Sequence, residues 1–226
     1  MVNKSKEECK CIRCLARAKL ISSLSKKEVE LLCENSVNIQ FKPGEKIIKQ
    51  GAFATNIVYI KSGLIKIHLT GPLKREEILK IEKAPVFTGI PSVFAGRVHK
   101  YSVTALQEID ACFIDLHVFK TFIEKNGKFA NEIIIGLSHD IISHFTRCVN
   151  KTQNQLVACF SEALIFLSDH IFENDEFEMP LTRSELGGFI GTTRETVTRM
   201  LHNFADDDII EVRGKAIKIR NKDILY

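Results

Sequence analysis

The sequence has no tryptophan, only 5 prolines and 12 glycines among 226 residues, and no long apolar run. So little glycine and proline excludes collagen-like and low-complexity chains. No stretch approaches the roughly 18 apolar residues of a membrane helix, and the first ten residues lack the apolar segment of a signal peptide. We therefore expect a globular protein of the cytoplasm. In that reducing compartment its 7 cysteines are expected to be thiols or metal ligands.

Charge is divided unevenly along the chain. Residues 151–226 hold nine basic and thirteen acidic side chains, a balance of −4. Residues 1–150 hold the other 23 basic and 15 acidic side chains, a balance of +8. Such asymmetry predicts two parts with different roles.

Residues 41–116 show the pattern of short strands. Apolar runs are separated by turn-forming pairs such as Pro43-Gly44 and Gly71-Pro72. Strands that recur at this spacing predict an antiparallel sandwich or barrel. Ahead of them, Ser25 and Glu28 have the spacing of a capping box, which predicts a short helix.

From Phe129 to about Val157 the sequence changes to a helical pattern. Side chains that are apolar, apart from His144, follow one another at intervals of four and three residues, at Ala130, Ile134, Leu137, Ile141, His144 and Cys148. At 1.5 Å per residue such a helix would be roughly 42 Å long, which is long for a domain of this size. The spacing and length favour a helix that pairs with its twin in a dimer, and a helix packed on its own domain is the alternative.

The region 181–220 has the pattern of two short helices followed by a hairpin. Thr182 and Glu185 form a second capping-box signature, and Gly191 separates the first helix from the next. Arginine forks match the edge of guanine, and a carboxylate can accept from cytosine, so Arg194, Glu195 and Arg199 are suited to reading bases. The alternative is a solvated helix face on which Glu195 pairs with Arg199.

The hairpin carries its own charge pattern. Residues 211–222 contain five basic side chains and one acidic side chain, a balance of +4. Positive charge of this kind is suited to gripping DNA phosphates.

The blocks LTRSELG at 181–187 and GTTRETVTRML at 191–201 closely resemble the winged helix of the Crp/Fnr family of bacterial transcription regulators. The block YIKSG at 59–63 resembles the start of the family's effector β-roll. The resemblance implies an α+β fold with an N-terminal antiparallel, jelly-roll-like β-roll, a long dimerisation helix and a C-terminal winged helix-turn-helix. The predicted boundaries are 1–19 for a cysteine-containing segment, 20–126 for the effector-sensing β-roll, 127–154 for the dimerisation helix and 155–226 for the DNA-binding domain.

The same resemblance implies a homodimer that reads a palindromic site in double-stranded DNA, with half-sites like TGTGA, and that contacts RNA polymerase. Arg194, Glu195 and Arg199 match the family's base-reading positions, and Thr182 and Arg183 match its phosphate contacts. The full predicted set is Thr182, Arg183, Arg194, Glu195, Thr198, Arg199 and Lys215. No enzyme motif is present, so we expect no enzymatic activity. The alternative is a β-roll interaction module with a non-functional DNA-binding domain.

The effector site departs from the cyclic-nucleotide pattern of that family. A Gly-Glu pair for the ribose and an Arg-Ser pair for the phosphate are replaced by Gly89-Ile90 and Lys100-Tyr101. Isoleucine cannot accept a ribose hydroxyl, and lysine lacks the fork of arginine. The sequence therefore argues against cAMP and predicts another small-molecule or redox effector near Gly89, Lys100 and Tyr101.

The cysteines suggest one form of redox effector. Cys9, Cys11 and Cys14 are closely spaced, and Cys112 lies at the strand position from which iron–sulfur members of the family supply a fourth ligand. Four thiolates could hold an iron–sulfur cluster or a zinc ion. Thiol redox sensing, or a mobile thiol tail with a buried Cys112, are the alternatives, and the seven histidines leave haem open as another.

Overall fold

A computed structural model describes residues 19–72, 74–153 and 155–225. Its contacts divide the chain into two compact units. Among the described residues, the first contains 19–67 and 81–142, and the second contains those of 68–80 and 143–225. Cys9, Cys11 and Cys14 lie outside the described residues, as does nearly all of the predicted segment 1–19.

Helix α1, Lys26–Glu34, opens the first unit after a short 3-10 turn, and its start is fixed by the capping box that the sequence predicts. The Ser25 amide donates to Glu28 at 2.7 Å, and the Glu28 amide donates to the Ser25 hydroxyl at 3.4 Å. These bonds satisfy two amides that a helix start otherwise leaves unpaired. Val29 and Leu32 on the other face are buried.

Two four-stranded antiparallel sheets follow, with strand orders β1-β8-β3-β6 and β2-β7-β4-β5. They confirm the predicted β-roll. The strands are β1 Ser36–Phe41, β2 Lys46–Ile48, β3 Asn56–Ser62, β4 Leu64–Thr70, β5 Glu76–Lys83, β6 Val86–Thr88, β7 Ser102–Ala105 and β8 Ile109–Asp115. The outer part of the β4–β5 hairpin, residues 68–80, is counted with the second unit.

Aromatic side chains fill the core of the first unit. The rings of Tyr59 and Phe87 lie 4.7 Å apart, and those of Phe119 and Phe129 lie 5.4 Å apart. Helices α2, Ile90–Phe94, and α3, Leu116–Lys125, contribute buried side chains. Burial of this apolar surface is the main stabilising contribution to the unit.

Helix α4, Gly127–Gln153, is continuous over 27 residues, as the sequence predicts. Leu137, a predicted dimer-face residue, packs instead against the core of the first unit. Ile134, Ile141 and Phe145 are 61%, 53% and 63% exposed. The exposed apolar stripe therefore contains Phe145, which the four-and-three spacing from Ala130 does not include.

The remaining elements of the second unit form a small α+β domain. Helix α5, Leu156–Phe166, continues as a π-helical turn, Leu167–Phe172. Strand β9, Glu176–Glu178, then precedes helices α6, Arg183–Ile190, and α7, Arg194–Asp206, and strands β10, Ile210–Arg213, and β11, Ala216–Ile219. The three strands pair antiparallel in the order β10-β11-β9, which confirms the predicted winged helix-turn-helix. No helix among the described residues is long and apolar enough to span a membrane.

Candidate nucleic-acid interface

Helix α6 is positioned by caps at both ends. The Thr182 amide donates to Glu185 at 2.7 Å, and the Glu185 amide donates to the Thr182 hydroxyl at 3.2 Å. Gly191 ends the helix at φ 85°, in the left-handed conformation that glycine adopts readily. The chain can therefore turn sharply into α7.

Helix α7 begins at the Thr193 cap, whose hydroxyl accepts the Thr196 amide at 3.3 Å. The buried face of α7 is formed by Val197, Met200, Leu201 and Phe204. The ring of Phe204 packs edge-on against Phe160 of α5 at 5.1 Å. The opposite face is thereby fixed toward solvent.

That outer face carries the predicted base-reading side chains. Arg194, Glu195 and Arg199 are all exposed. Hydrogen bonds from its own backbone amide and from Thr193 lower the pKa of Glu195. The face therefore presents two guanidinium groups and a carboxylate at neutral pH, which can pair with guanine and cytosine edges in a major groove.

Arg183 and Thr198 are brought together beside this face. The Arg183 guanidinium donates to the Thr198 hydroxyl at 3.3 Å, and that hydroxyl donates to the Arg194 carbonyl at 3.0 Å. Thr198 is therefore half-buried and engaged within the domain. Its hydroxyl thus connects Arg183 to the first turn of α7.

Thr182, Arg183 and Lys215 line one cleft of about 200 Å³ between the helices and the β10–β11 turn. The structure thus brings the three predicted phosphate-contacting residues to one place. The turn itself uses Gly214 at φ 66°.

Most of the hairpin cations are already paired within the domain. Arg213 pairs with Glu211, and Arg220 pairs with Glu211 at 2.8 Å and with Asp208 at 3.3 Å. The Arg220 hydrogen bond lowers the pKa of Glu211. Lys218 pairs with Glu176 at 3.3 Å. The +4 balance of 211–222 therefore overstates the charge that is free to meet phosphates.

Two exposed residues of α7, and the partners of the hairpin cation Lys222, are not among the features that the sequence predicts. His202 and Asn203 are exposed on α7, three and four residues after Arg199, so helical spacing alone could have found them. Lys222 contacts Asp169 at 2.5 Å and Asp175 at 2.8 Å. No local pattern reveals that clamp, because its partners are 53 and 47 positions away.

The effector candidates lie in the first unit. Gly89 caps α2 at φ 95°. Burial raises the pKa of the Tyr101 phenol, and its contacts with Ser92, Thr88 and the Gly89 backbone oppose that rise. The phenol therefore lies at the start of α2, where the resemblance would place a cyclic phosphate.

The other two positions also fit a cyclic nucleotide poorly. Ile90, in place of the ribose-binding acid, is buried in the hydrophobic core. Lys100 is exposed. The residues present therefore do not fit a cyclic nucleotide.

Of the four cysteines predicted to hold a cluster or zinc, only Cys112 lies among the described residues. Cys112 is 0% exposed and belongs to the apolar core of the first unit. The described residues contain no group of three or more His, Cys, Asp or Glu side chains arranged to hold a metal. Cys9, Cys11 and Cys14 lie outside the described residues, so the cluster hypothesis stays a prediction.

Two family models match separate parts of the chain. The cyclic nucleotide-binding domain matches residues 38–126, and the Crp-like helix-turn-helix domain matches residues 160–226. Together they account for most of the sequence.

Curated relatives and solved structures agree with these matches. The chain is 27% identical over 180 residues to electron transport regulator A of Shewanella oneidensis, covering 78% of this chain and 72% of the relative. It is 25% identical over 182 residues to the fumarate and nitrate reduction regulatory protein of Vibrio cholerae, covering 79% of this chain and 72% of that protein. The fold of FixK2 from Bradyrhizobium japonicum superposes on this chain with a TM-score of 0.76 at 15% sequence identity. The match covers 84% of this chain and 95% of FixK2. The chain therefore belongs to the Crp/Fnr family of transcription regulators.

Proposed function

We propose that this regulator binds a palindromic DNA site as a homodimer, with TGTGA-like half-sites. The observation that carries the proposal is the outer face of α7, where Arg194, Glu195 and Arg199 are exposed while the opposite face is buried. A dimer would place two such helices in successive major grooves, one helical turn or about 34 Å apart.

The dimer is supported by α4. Its exposed apolar stripe, with Ile134, Ile141 and Phe145, is unusual for a surface helix and is suited to pairing with a second copy. Contact with RNA polymerase is inferred from the family resemblance alone. A protein that reads chromosomal DNA in a bacterium acts in the cytoplasm, so that remains the expected location.

The effector is proposed to be something other than cAMP. Ile90, Lys100 and the position of Tyr101 support this, since they remove the carboxylate and guanidinium that a cyclic nucleotide requires. Two relatives are named for electron transport and for fumarate and nitrate reduction, which favours a redox-linked signal. Titration calorimetry with cAMP should show no micromolar binding, and such binding would overturn this part of the proposal.

A binding selection from random DNA tests the proposed site. The expected product is a twofold-symmetric sequence with a G·C pair facing Arg199 in each half. Selected sites that lack symmetry, or lack that pair, would contradict the proposal. Failure to select any sequence would favour the alternative of an interaction module with a non-functional DNA-binding domain.

A further inference from the structure

Arg147, near the end of α4, is partly buried inside the second unit and contacts two separate segments of it. Its guanidinium donates to the Leu79 carbonyl in the β4–β5 hairpin and lies 3.5 Å from the Ile78 carbonyl. It also donates to the Phe189 carbonyl of α6 at 3.3 Å, and its Cζ lies 4.4 Å from the centre of the Phe189 ring. One side chain therefore joins the hairpin to the first helix of the DNA-reading motif.

This arrangement satisfies a group that is costly to bury. Burial lowers the pKa of Arg147, and the nearby Glu77 carboxylate opposes that change. The carbonyl acceptors and the aromatic face together replace the water that a guanidinium loses. A backbone carbonyl oxygen has two lone pairs, so carbonyls in a strand and at a helix end can accept these bonds in addition to their regular ones.

Two further contacts hold the same segments together. Lys151, one turn after Arg147, pairs with Glu77 of the hairpin. Gly188 of α6 lies so close to the hairpin backbone that a Cβ there would be 2.5 Å from the Glu76 carbonyl oxygen. The absence of a side chain at position 188 thus permits direct backbone packing.

We infer that Arg147 is a positioning residue of the DNA-reading domain, which clamps residues 76–80 of the hairpin to helix α6 and so sets how α7 is presented. The hairpin belongs to the segment that matches the cyclic nucleotide-binding domain, residues 38–126, yet it packs with residues 143–226. A change that moves the hairpin would therefore move α6 with it. The DNA-affinity part of this inference rests on the proposed function.

The test compares Arg147→Met, which keeps an unbranched apolar stem but removes the guanidinium and its donors, with Gly188→Ala, which forces the hairpin and α6 apart. Hydrogen exchange should become at least tenfold faster in both 76–80 and 187–191 in each variant. The dissociation constant for the selected DNA site should change at least fivefold, in the same direction in both variants. Arg147→Lys, which keeps one donor and the charge, should restore part of both effects.

Matched controls use the same substitutions elsewhere. Arg75→Met changes an exposed arginine of the same hairpin, and Gly136→Ala adds a Cβ that meets nothing within 4 Å. Both should leave exchange and affinity within twofold of the original protein. Exchange that accelerates in one segment only, or in neither, overturns the clamp, as does unchanged affinity in both variants. The exchange result stands even if no DNA is bound, which would instead count against the proposed function.

Discussion

Arg199 is exposed in the free protein. Its replacement by alanine should therefore leave the unfolding midpoint unchanged. Loss of a bidentate contact with guanine should weaken specific DNA binding by about 1–3 kcal/mol, roughly 5- to 150-fold. A mobility-shift titration with the selected site measures this, with Arg75→Ala as the exposed control. Equal affinity for Arg199→Ala and the original protein would contradict the assigned role.

Lys222 gives a second prediction at the scale of the residue. Hydrogen bonds from Lys222 and Ser168 lower the pKa of Asp175. A carboxyl group whose pKa is lower in the folded than in the unfolded protein stabilises the fold at pH values above its unfolded-state pKa. That contribution is lost as the pH falls through the folded-state pKa. Lys222→Met should therefore lower the urea midpoint at pH 7, and the difference from the original protein should shrink as the pH falls below about 4.

The pH series distinguishes the clamp from simple packing. Lys218→Met, which removes an exposed cation paired with Glu176, serves as the control and should have a smaller effect at pH 7. A deficit for Lys222→Met that is the same at pH 7 and at pH 3 would show that the ion pairs with Asp169 and Asp175 contribute nothing.

Local sequence patterns predict residue roles well when the cause is local. The capping boxes at Ser25 and Thr182 form as their spacing predicts, because each depends on groups three positions apart. Exposure of Arg194 and Arg199 also follows from helical periodicity. The partners of Arg147 and Lys222 could not be predicted this way, because tertiary packing brings them together across 42 to 69 positions of sequence.

At the scale of the element, helix α4 packs one side against the core of the first unit and leaves an apolar stripe exposed. The sequence predicts one long helix in this part of the chain, and the structure has it over Gly127–Gln153. Which side of α4 stays exposed is harder to predict, since apolar residues lie on neighbouring stripes of the helix. Leu137 packs against the core of the first unit. This contact depends on the elements around the helix and not on the helical sequence itself.

Phe145 should consequently matter for pairing of two copies. A buried glutamate at an apolar dimer seam carries a large desolvation cost, so Phe145→Glu should convert the dimer to a monomer at micromolar concentration. Sedimentation equilibrium measures the change, and DNA affinity should fall with it. His139→Glu, an exposed change on the same helix and well away from the stripe, should leave the dimer intact. A dimeric Phe145→Glu variant would place the interface elsewhere.

At the scale of the whole molecule, net charge is a poor guide to the DNA-binding surface. The formal charge of +4 combines a part at +8 with a DNA-reading part at −4. Within that acidic part the structure pairs Arg213, Lys218 and Arg220 with carboxylates. The β-roll and winged helix-turn-helix could be predicted from strand spacing and motif, but the pairing of these charges depends on the register of β9, β10 and β11.

This pairing has a measurable consequence for the salt dependence of DNA binding. If Arg183 and Lys215 are the phosphate contacts of each protomer, a dimer neutralises about four phosphates, and the slope of log K against log salt should be about −3.6. Were all five cations of residues 211–222 engaged along with Arg183, the slope would be roughly −11. Lys215→Ala should make the slope less steep by about 1.8, since each dimer loses two contacts.

Arg220→Ala is the matched comparison in the same hairpin. Because Arg220 is held by Glu211 and Asp208, its loss should leave the slope within about 0.5 of the original. It should also take the arginine away from Asp208, while Glu211 keeps Arg213. The added negative charge should weaken binding at low salt without changing the number of counterions released. A slope near −11, or an equal loss of slope for both variants, would show that the ion pairs open when DNA binds and that the hairpin delivers its full charge.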